Sequence, residues 1–410
     1  MARAVTPAQV AQIAGLLARA PDAKLREIIC FVEALPGRGA LEPVIARIRP
    51  RLRALRPGRP LTFGRVLWLS VEPLLVDPAR WRTGQGEIPR HALDPLAEAI
   101  RAADPALAVR VDAAVSGKHT DDAIAILRAG EALWPGAAAA LPAEPPAGWR
   151  PAGLPAATYG EIAAVLAPLL RHGVALHDLR LAGPDGPPEG LARPALQALA
   201  AEGPAAVSAG LACILPFASQ PARIAALAVS VGGGPAAEAA LDRFIEGASP
   251  QLDDTAGLSN AATAAERFAL MLTDLDRASS SDRPHRAKAL HKIRKEAGAS
   301  CRTQISAADM TFGTPLREAL GTAAALDDRE VEALEQNARA LRSLVETAHA
   351  LDGGGRSAQP LEAALATLRA RAARPAGGAA GFTRADTVRL IEILGGPDAA
   401  EQAAGRPHAA

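Results

Sequence analysis

The chain has 410 residues, of which 49% are hydrophobic but only 3% aromatic, so alanine and the aliphatic side chains supply most of its apolar content. Alanine and leucine favour helices, and the scarcity of aromatic residues argues against a protein rich in β-sheet. Lys and Arg number 45 against 44 Asp and Glu, and the resulting net charge of +1 excludes a global attraction to nucleic acid or anionic membranes.

The cysteines indicate a reducing compartment. Cys30, Cys213 and Cys301 are odd in number, widely separated and without a CxxC pair, which argues against a disulfide framework or a zinc site. No metal or other cofactor is therefore expected. The N-terminus lacks the pattern of a secretory signal, and prolines interrupt the most apolar stretch, 203–222, so that no membrane span is expected either. The prediction is a cytoplasmic protein.

Apolar residues recur at helical spacing in three short N-terminal segments, near residues 6–17, 22–35 and 41–55. Tight turns between them predict stacked helical hairpins. An irregular stretch is expected from 57 to 89, and helices are predicted near 91–103, 105–115 and 121–133.

Residues 136–156 contain five prolines and no periodicity, which is typical of an interdomain linker. This predicts an N-terminal helical domain, 1–135, and a C-terminal helical domain, 157–351. Residues 352–410 are expected to form a loosely ordered tail with short helices, disordered from Gly395 onward.

Helical spacing continues through the predicted C-terminal domain and its tail. The run Ile224–Val231 fits either a helix or a buried strand, and its surroundings favour a helix. Predicted helices lie near 158–171, 189–201, 222–231, 235–246, 260–277, 327–353, 361–372 and 384–394.

The longest predicted helix carries a short heptad seam formed by Val331, Leu334, Ala338, Leu341, Val345 and Ala348. A seam of this length is more typical of packing within a chain, and a homo-oligomer through the same face is the alternative. No repeat of fixed period emerges. The predicted class is all-α, a multi-helical array of stacked hairpins that is either a degenerate α-solenoid or two helical bundles.

The first candidate site is an irregular segment rich in Arg and Trp. Two of the four tryptophans lie in it, and its candidate partner-binding residues are Trp68, Asp77, Arg80, Trp81, Arg82 and Arg90. Long loops of this composition tend to bind partners, because rigid aromatic rings and forked guanidinium groups anchor interfaces. In the alternative interpretation, Trp68 belongs to the core and the charged residues hold the loop together by local hydrogen bonds.

The part of this segment from Leu74 to Arg90, LLVDPARWRTGQGEIPR, resembles a stretch found in an uncharacterised family of proteobacterial helical proteins. The resemblance covers a small part of the chain and implies no activity, cofactor or partner.

The second candidate site is a basic helix face. At about 100° per residue, Lys288, Lys292 and Lys295 share one side of a helix with His291 beside them, and apolar residues point the opposite way. Such a face can bind phosphate groups or an acidic protein, with an affinity that falls as salt rises. No aromatic residue lies between Phe268 and Phe312, so stacking on bases has no local support. A solvated helix face is the alternative.

Enzyme signatures are incomplete. Lys118 lacks the flanking residues of a phosphate-binding loop, Ser208 lacks the first glycine of a nucleophile elbow, and His172 and His177 point to nearly opposite sides of a helix. The sequence therefore predicts a non-catalytic interaction or scaffold protein. Nucleic-acid or phosphate-ligand binding through the basic face is the second hypothesis, and a hydrolase or transferase whose site is not visible in the sequence is the third.

Overall fold

The computed structural model describes residues 59–181, 189–249, 252, 257–278, 284–321, 326–352, 358–373 and 382–405. Helices dominate these ranges, which contain only one small sheet of two short strands. The prediction of an all-α, multi-helical fold is confirmed. The three helices predicted before Pro57 lie outside the described residues.

Contacts divide the chain into two compact units. The first unit comprises the described residues from 59 to 248 together with 270–290, and the second comprises those of 249–269 and from 291 onward. The elements of the first unit are α1 (Phe63–Leu69), β1 (Leu75–Val76), β2 (Ile88–Pro89), α2 (Leu93–Ala103), α3 (Pro105–Val115), α4 (Ala123–Ala139), α5 (Tyr159–Arg171), α6 (Gly173–Leu181), α7 (Glu189–Glu202), α8 (Pro204–Ile214), α9 (Pro221–Ala228) and α10 (Gly234–Gly247).

Two long helices, α11 (Leu258–Arg277) and α12 (Pro284–Ala308), contribute residues to both units. The remaining helices belong to the second unit, and they are α13 (Thr314–Gly321), α14 (Asp328–Asp352), α15 (Gln359–Ala372), α16 (Arg384–Gly395) and α17 (Pro397–Ala404).

Side-chain caps fix where several helices begin. Asp104 accepts a hydrogen bond from the backbone N–H of Leu107 at 2.9 Å at the start of α3, and Asp122 does the same for Ala125 at the start of α4. At α16, Thr383 and Asp386 form a reciprocal capping box. These short polar residues satisfy N–H groups that have no partner within the helix.

The core of the first unit is built around Trp134 on α4. Its ring is fully buried, and its Nε1 donates a hydrogen bond to the carbonyl of Val66 on α1 at 3.0 Å. A Cβ added at Gly173, the first residue of α6, would lie 2.8 Å from the Cβ of Trp134. Glycine therefore allows α6 to approach the indole closely.

The predicted linker 136–156 belongs to the first unit. The last residues of α4, up to Ala139, form the beginning of this segment. Trp149 is fully buried, and its Nε1 donates a hydrogen bond to the carbonyl of Pro155 at 3.1 Å. The ring of Trp149 also meets that of Tyr159 edge-on, with centroids 5.2 Å apart. Proline-rich turns packed on a tryptophan lack periodicity just as a free linker does, which is why the sequence suggested a linker.

A helix, α1, forms within the stretch expected to be irregular. Ile224–Val231 is helical, as its surroundings favoured, and continues from α9 into the π-helical segment Val229–Gly233. The expected disorder after Gly395 is wrong for α17, where Pro397 starts a helix that buries Ala399 and Ala400. Residues 406–410 lie outside the described residues.

One stretch among the described residues, Pro221–Gly247, is long and apolar enough to cross a membrane, and 39% of its most apolar window is buried inside the protein. Core helices of soluble proteins meet the same criteria, so this is weak support for a span. The stretch is also interrupted at Gly232, whose φ of 107° is not helical.

The heptad seam of α14 packs within the chain. Leu334, Ala338, Leu341 and Ala348 are buried in the second unit, where α14 contacts α16. Association of two chains through the same face stays a prediction, and it would require these side chains to leave their present contacts.

Candidate functional site

The first candidate site is organised by a small parallel sheet. Leu75 pairs with Ile88 and Val76 with Pro89, so that β1 and β2 end at the same edge. Asp77 and Arg90 follow directly after the paired residues Val76 and Pro89, and their backbones therefore leave the sheet side by side. Residues 77–87, here called the β1–β2 loop, connect the two strands.

Hydrogen bonds at both ends hold the β1–β2 loop in one shape. The carboxylate of Asp77 accepts from the N–H of Ala79 at 2.9 Å, and its carbonyl accepts from Arg80 and Trp81. The Nε1 of Trp81 donates to the carbonyl of Glu87 at 3.2 Å, which closes the loop across its base. Farther along, the N–H of Gly84 donates to Glu161 on α5.

The predicted binding residues of this segment divide into buried and exposed ones. Trp68 is 8% exposed and belongs to the core, so it offers no surface to a partner. Trp81 is half-buried, whereas the remaining predicted residues are exposed, namely Asp77, Arg80, Arg82 and Arg90.

Some charged side chains of this segment make hydrogen bonds within the loop, and others do not. Arg82 donates to the carbonyl of Trp81 at 2.9 Å, and Asp77 caps the first turn, so both stabilise the loop as the alternative interpretation expected. Within the described residues, no acidic side chain pairs with Arg80 or Arg90. Two guanidinium groups therefore remain available on a rigid surface.

The second candidate site lies along α12. Its predicted anion-binding residues, Lys288, His291, Lys292 and Lys295, are all exposed. Lys292 lies 3.8 Å from Glu296 one turn later, a solvated pair that is a weak competitor for other anions. Leu290, Ile293 and Ala297 are buried on the opposite side, as the periodicity of the segment indicates.

Arg286, which precedes these lysines on α12, does not lie on the same surface. Arg286 is 3% exposed, and its Nη2 lies 2.7 Å from Glu238 on α10 while its Nε donates to Asp242. Burial alone would raise the pKa of Asp242, but hydrogen bonds from Arg286 and His285 hold this pKa below its usual range. The role of Arg286 is therefore structural.

A buried histidine that the sequence did not single out as a site lies in the first unit. His177 on α6 is 5% exposed, and its ring centroid lies 5.3 Å from that of Trp134. Neither of its ring nitrogens has a hydrogen-bond partner among the described residues. Burial, with a contribution from Arg180, lowers the pKa of His177 to about 4, so the ring is neutral near pH 7.

Arg180 lies one turn after His177 and anchors the end of α6. It donates to the carbonyl of Leu69, pairs with Glu72 at 3.2 Å and stacks on the ring of Phe217, 4.2 Å from its centroid. The partners of Arg180 come from distant parts of the chain, so spacing in the sequence carries no signal for this cluster.

The residues of the incomplete enzyme signatures, and the buried Cys213, do not assemble into a reactive group within the described part of the chain. Ser208 accepts a hydrogen bond from Arg243, and His172 lies 3.3 Å from Glu202. Burial raises the pKa of Cys213 to about 12, which makes it a poor nucleophile. No cluster of three or more metal-ligating side chains occurs among the same residues. This geometry gives the hydrolase or transferase hypothesis no support.

Comparison with known proteins finds no matching family model, no similar curated protein and no similar solved structure.

Proposed function

We propose that this chain is a non-catalytic, cytoplasmic helical protein that binds a protein partner through the β1–β2 loop and Arg90. One observation carries the proposal: the loop is held by internal hydrogen bonds, yet the guanidinium groups of Arg80 and of the adjacent Arg90 have no acidic partner among the described residues. A loop already held in one shape loses little conformational entropy when it binds. Arginine and tryptophan are the residue types most enriched in the energetic centres of interfaces.

The charges of the segment favour a partner that offers carboxylates. The carboxylate of Asp77 already accepts a backbone N–H, and that of Glu161 accepts the N–H of Gly84. The forked donors of Arg80 and Arg90 match the planar geometry of Asp and Glu side chains. Trp81 would add apolar contact area beside them.

The test uses a double variant that leaves the loop intact. Neither Arg80 nor Arg90 takes part in the side-chain bonds that hold the loop, so Arg80→Ala with Arg90→Ala removes the donors and keeps its shape. Arg369→Ala on α15 changes an exposed arginine elsewhere and is the matched control. Proteins captured from lysate by wild type and both variants are quantified, and the affinity of the best-enriched one is measured with purified components.

A partner lost by the double variant and retained by the control supports the proposal, with an expected loss of affinity of about tenfold or more. An identical set of captured proteins for all three chains would contradict it.

The exposed cations of α12 favour a second candidate function, binding of phosphate groups on nucleic acids or small ligands. Fluorescence anisotropy with labelled RNA and DNA at two salt concentrations tests it, because phosphate contacts weaken steeply with salt. Lys288→Gln with Lys295→Gln should abolish such binding. Binding that is absent, or unchanged by salt, rejects this second candidate.

A further inference from the structure

We propose that His177 is an acid-sensitive latch, in which protonation of its ring releases α6 from the helices packed around it in the first unit. Such a response to pH would not depend on the proposed partner.

The ring of His177 is enclosed by apolar surroundings that do not suit a positive charge. Helix α6 packs against α4, α5, α7 and α8, and the imidazole is enclosed with its plane inclined by 49° to that of Trp134. Both ring nitrogens are buried without a hydrogen-bond partner among the described residues. A neutral ring tolerates this environment, whereas an imidazolium would expose two N–H donors to an apolar core.

The charges around the ring do not compensate an imidazolium. Arg180 on the same helix is the charged group that acts on His177, and it is also positive. Asp178, the next residue, has a raised pKa caused by burial and by Glu131 on α4.

The other ionisable groups on the surrounding helices have different partners, are neutral or are exposed. Arg171 on α5 and His172, between α5 and α6, share Glu202 on α7, where Glu189 pairs with Arg193. Glu161 on α5 accepts the N–H of Gly84, and Cys213 on α8 is held neutral by burial. Arg128 on α4 is exposed.

The direction of the pH effect follows from these surroundings. The pKa of His177 is about 4 in the fold and 6.5 when unperturbed, so the opened state binds the proton more tightly. The contribution of His177 to stability is complete above pH 6.5 and is lost as the pH falls from 6.5 towards 4. Acid therefore favours opening.

The geometry of α6 makes it the element that moves. It is short, with 9 residues, and the chain bends by 68° where α5 ends and α6 begins. Full release of α6 would also break the contacts of Arg180 with Leu69, Glu72 and Phe217, which anchor its end.

Hydrogen exchange of the full-length protein, measured by mass spectrometry from pH 7.5 to pH 5 and corrected for intrinsic exchange, tests the latch. Below pH 6.5, the opening constant of α6 should rise up to about tenfold per pH unit, while α10 changes less. His177→Leu should remove the pH dependence, and His172→Gln, which changes the neighbouring histidine, should keep it. A pH dependence that persists in His177→Leu overturns the proposal, as does simultaneous opening of α6 and α10.

A second measurement keeps the proposal testable if His177→Leu does not fold. An NMR titration of the wild-type protein with labelled histidine should show one ring that remains neutral below pH 5. If every histidine titrates near pH 6.5, the proposal is overturned.

Discussion

Arg286 and Asp242 join the beginning of α12 to α10 within the first unit through a buried guanidinium. The same side chain reaches Glu238, one turn earlier on α10, at 2.7 Å. By its spacing, Arg286 lies on the same side of α12 as Leu290, Ile293 and Ala297, which is the buried side. Helical periodicity therefore distinguishes Arg286 from the exposed lysines.

Replacing Arg286 by Met should strongly destabilise the first unit. The substitution removes the buried guanidinium that bonds both Asp242 and Glu238, and removing one partner of a buried pair costs about 3 kcal/mol or more. Urea unfolding followed by circular dichroism measures the change.

The matched control is Lys295→Met, which makes the same kind of substitution on the exposed side of the helix. We expect it to change the free energy of unfolding by less than about 0.5 kcal/mol. Equal effects of the two substitutions would show that the buried ion pairs contribute little.

Even the smallest substitution at Gly173, to alanine, is expected to destabilise the first unit. The added methyl group of Gly173→Ala would lie 2.8 Å from Trp134, whose ring is fully buried and cannot move aside. Overpacking of this kind costs about 1–3 kcal/mol. Gly160→Ala on α5 meets nothing within 4 Å, so the same measurement should show unchanged stability or a gain of up to about 1 kcal/mol for this control.

Much of the fold follows from helical periodicity, but its long-range contacts do not. The boundaries of α2, α3 and α5 agree with their predicted helices, because proline, capping residues and apolar stripes are local signals. The burial of Trp149 depends on turns whose sequence resembles a flexible linker. Composition alone does not distinguish packed turns from free ones.

The candidate sites show the same distinction. The exposed side of α12 could be predicted because a single helix determines it. One of the bonds that hold the β1–β2 loop joins Gly84 to Glu161, which are 77 residues apart, and the ring contact of His177 likewise joins separate helices. Such pairs become visible only when the helices are assembled.

The seam of α14 provides a test of association between chains. Leu341 is 1% exposed within the second unit, so Leu341→Ala should create a cavity and destabilise the unit by about 2–5 kcal/mol. If the seam serves only the interior of each chain, the unfolding midpoint of wild type and variant will not depend on protein concentration. A midpoint that rises with concentration in the wild type and is constant in the variant would instead support a homo-oligomer through this face.

Cys213 and Cys301 should be unreactive while the protein is folded. Both thiols are fully buried, and burial raises the pKa of Cys213 to about 12 and that of Cys301 to about 11, so the reactive thiolate is scarce at pH 8. Iodoacetamide followed by peptide mapping should leave both unmodified in buffer and modify both in urea. Because Cys213 lies on α8, which packs against α6, rapid labelling of Cys213 alone in buffer would mean that this part of the core opens even at alkaline pH, contrary to a latch that acid releases.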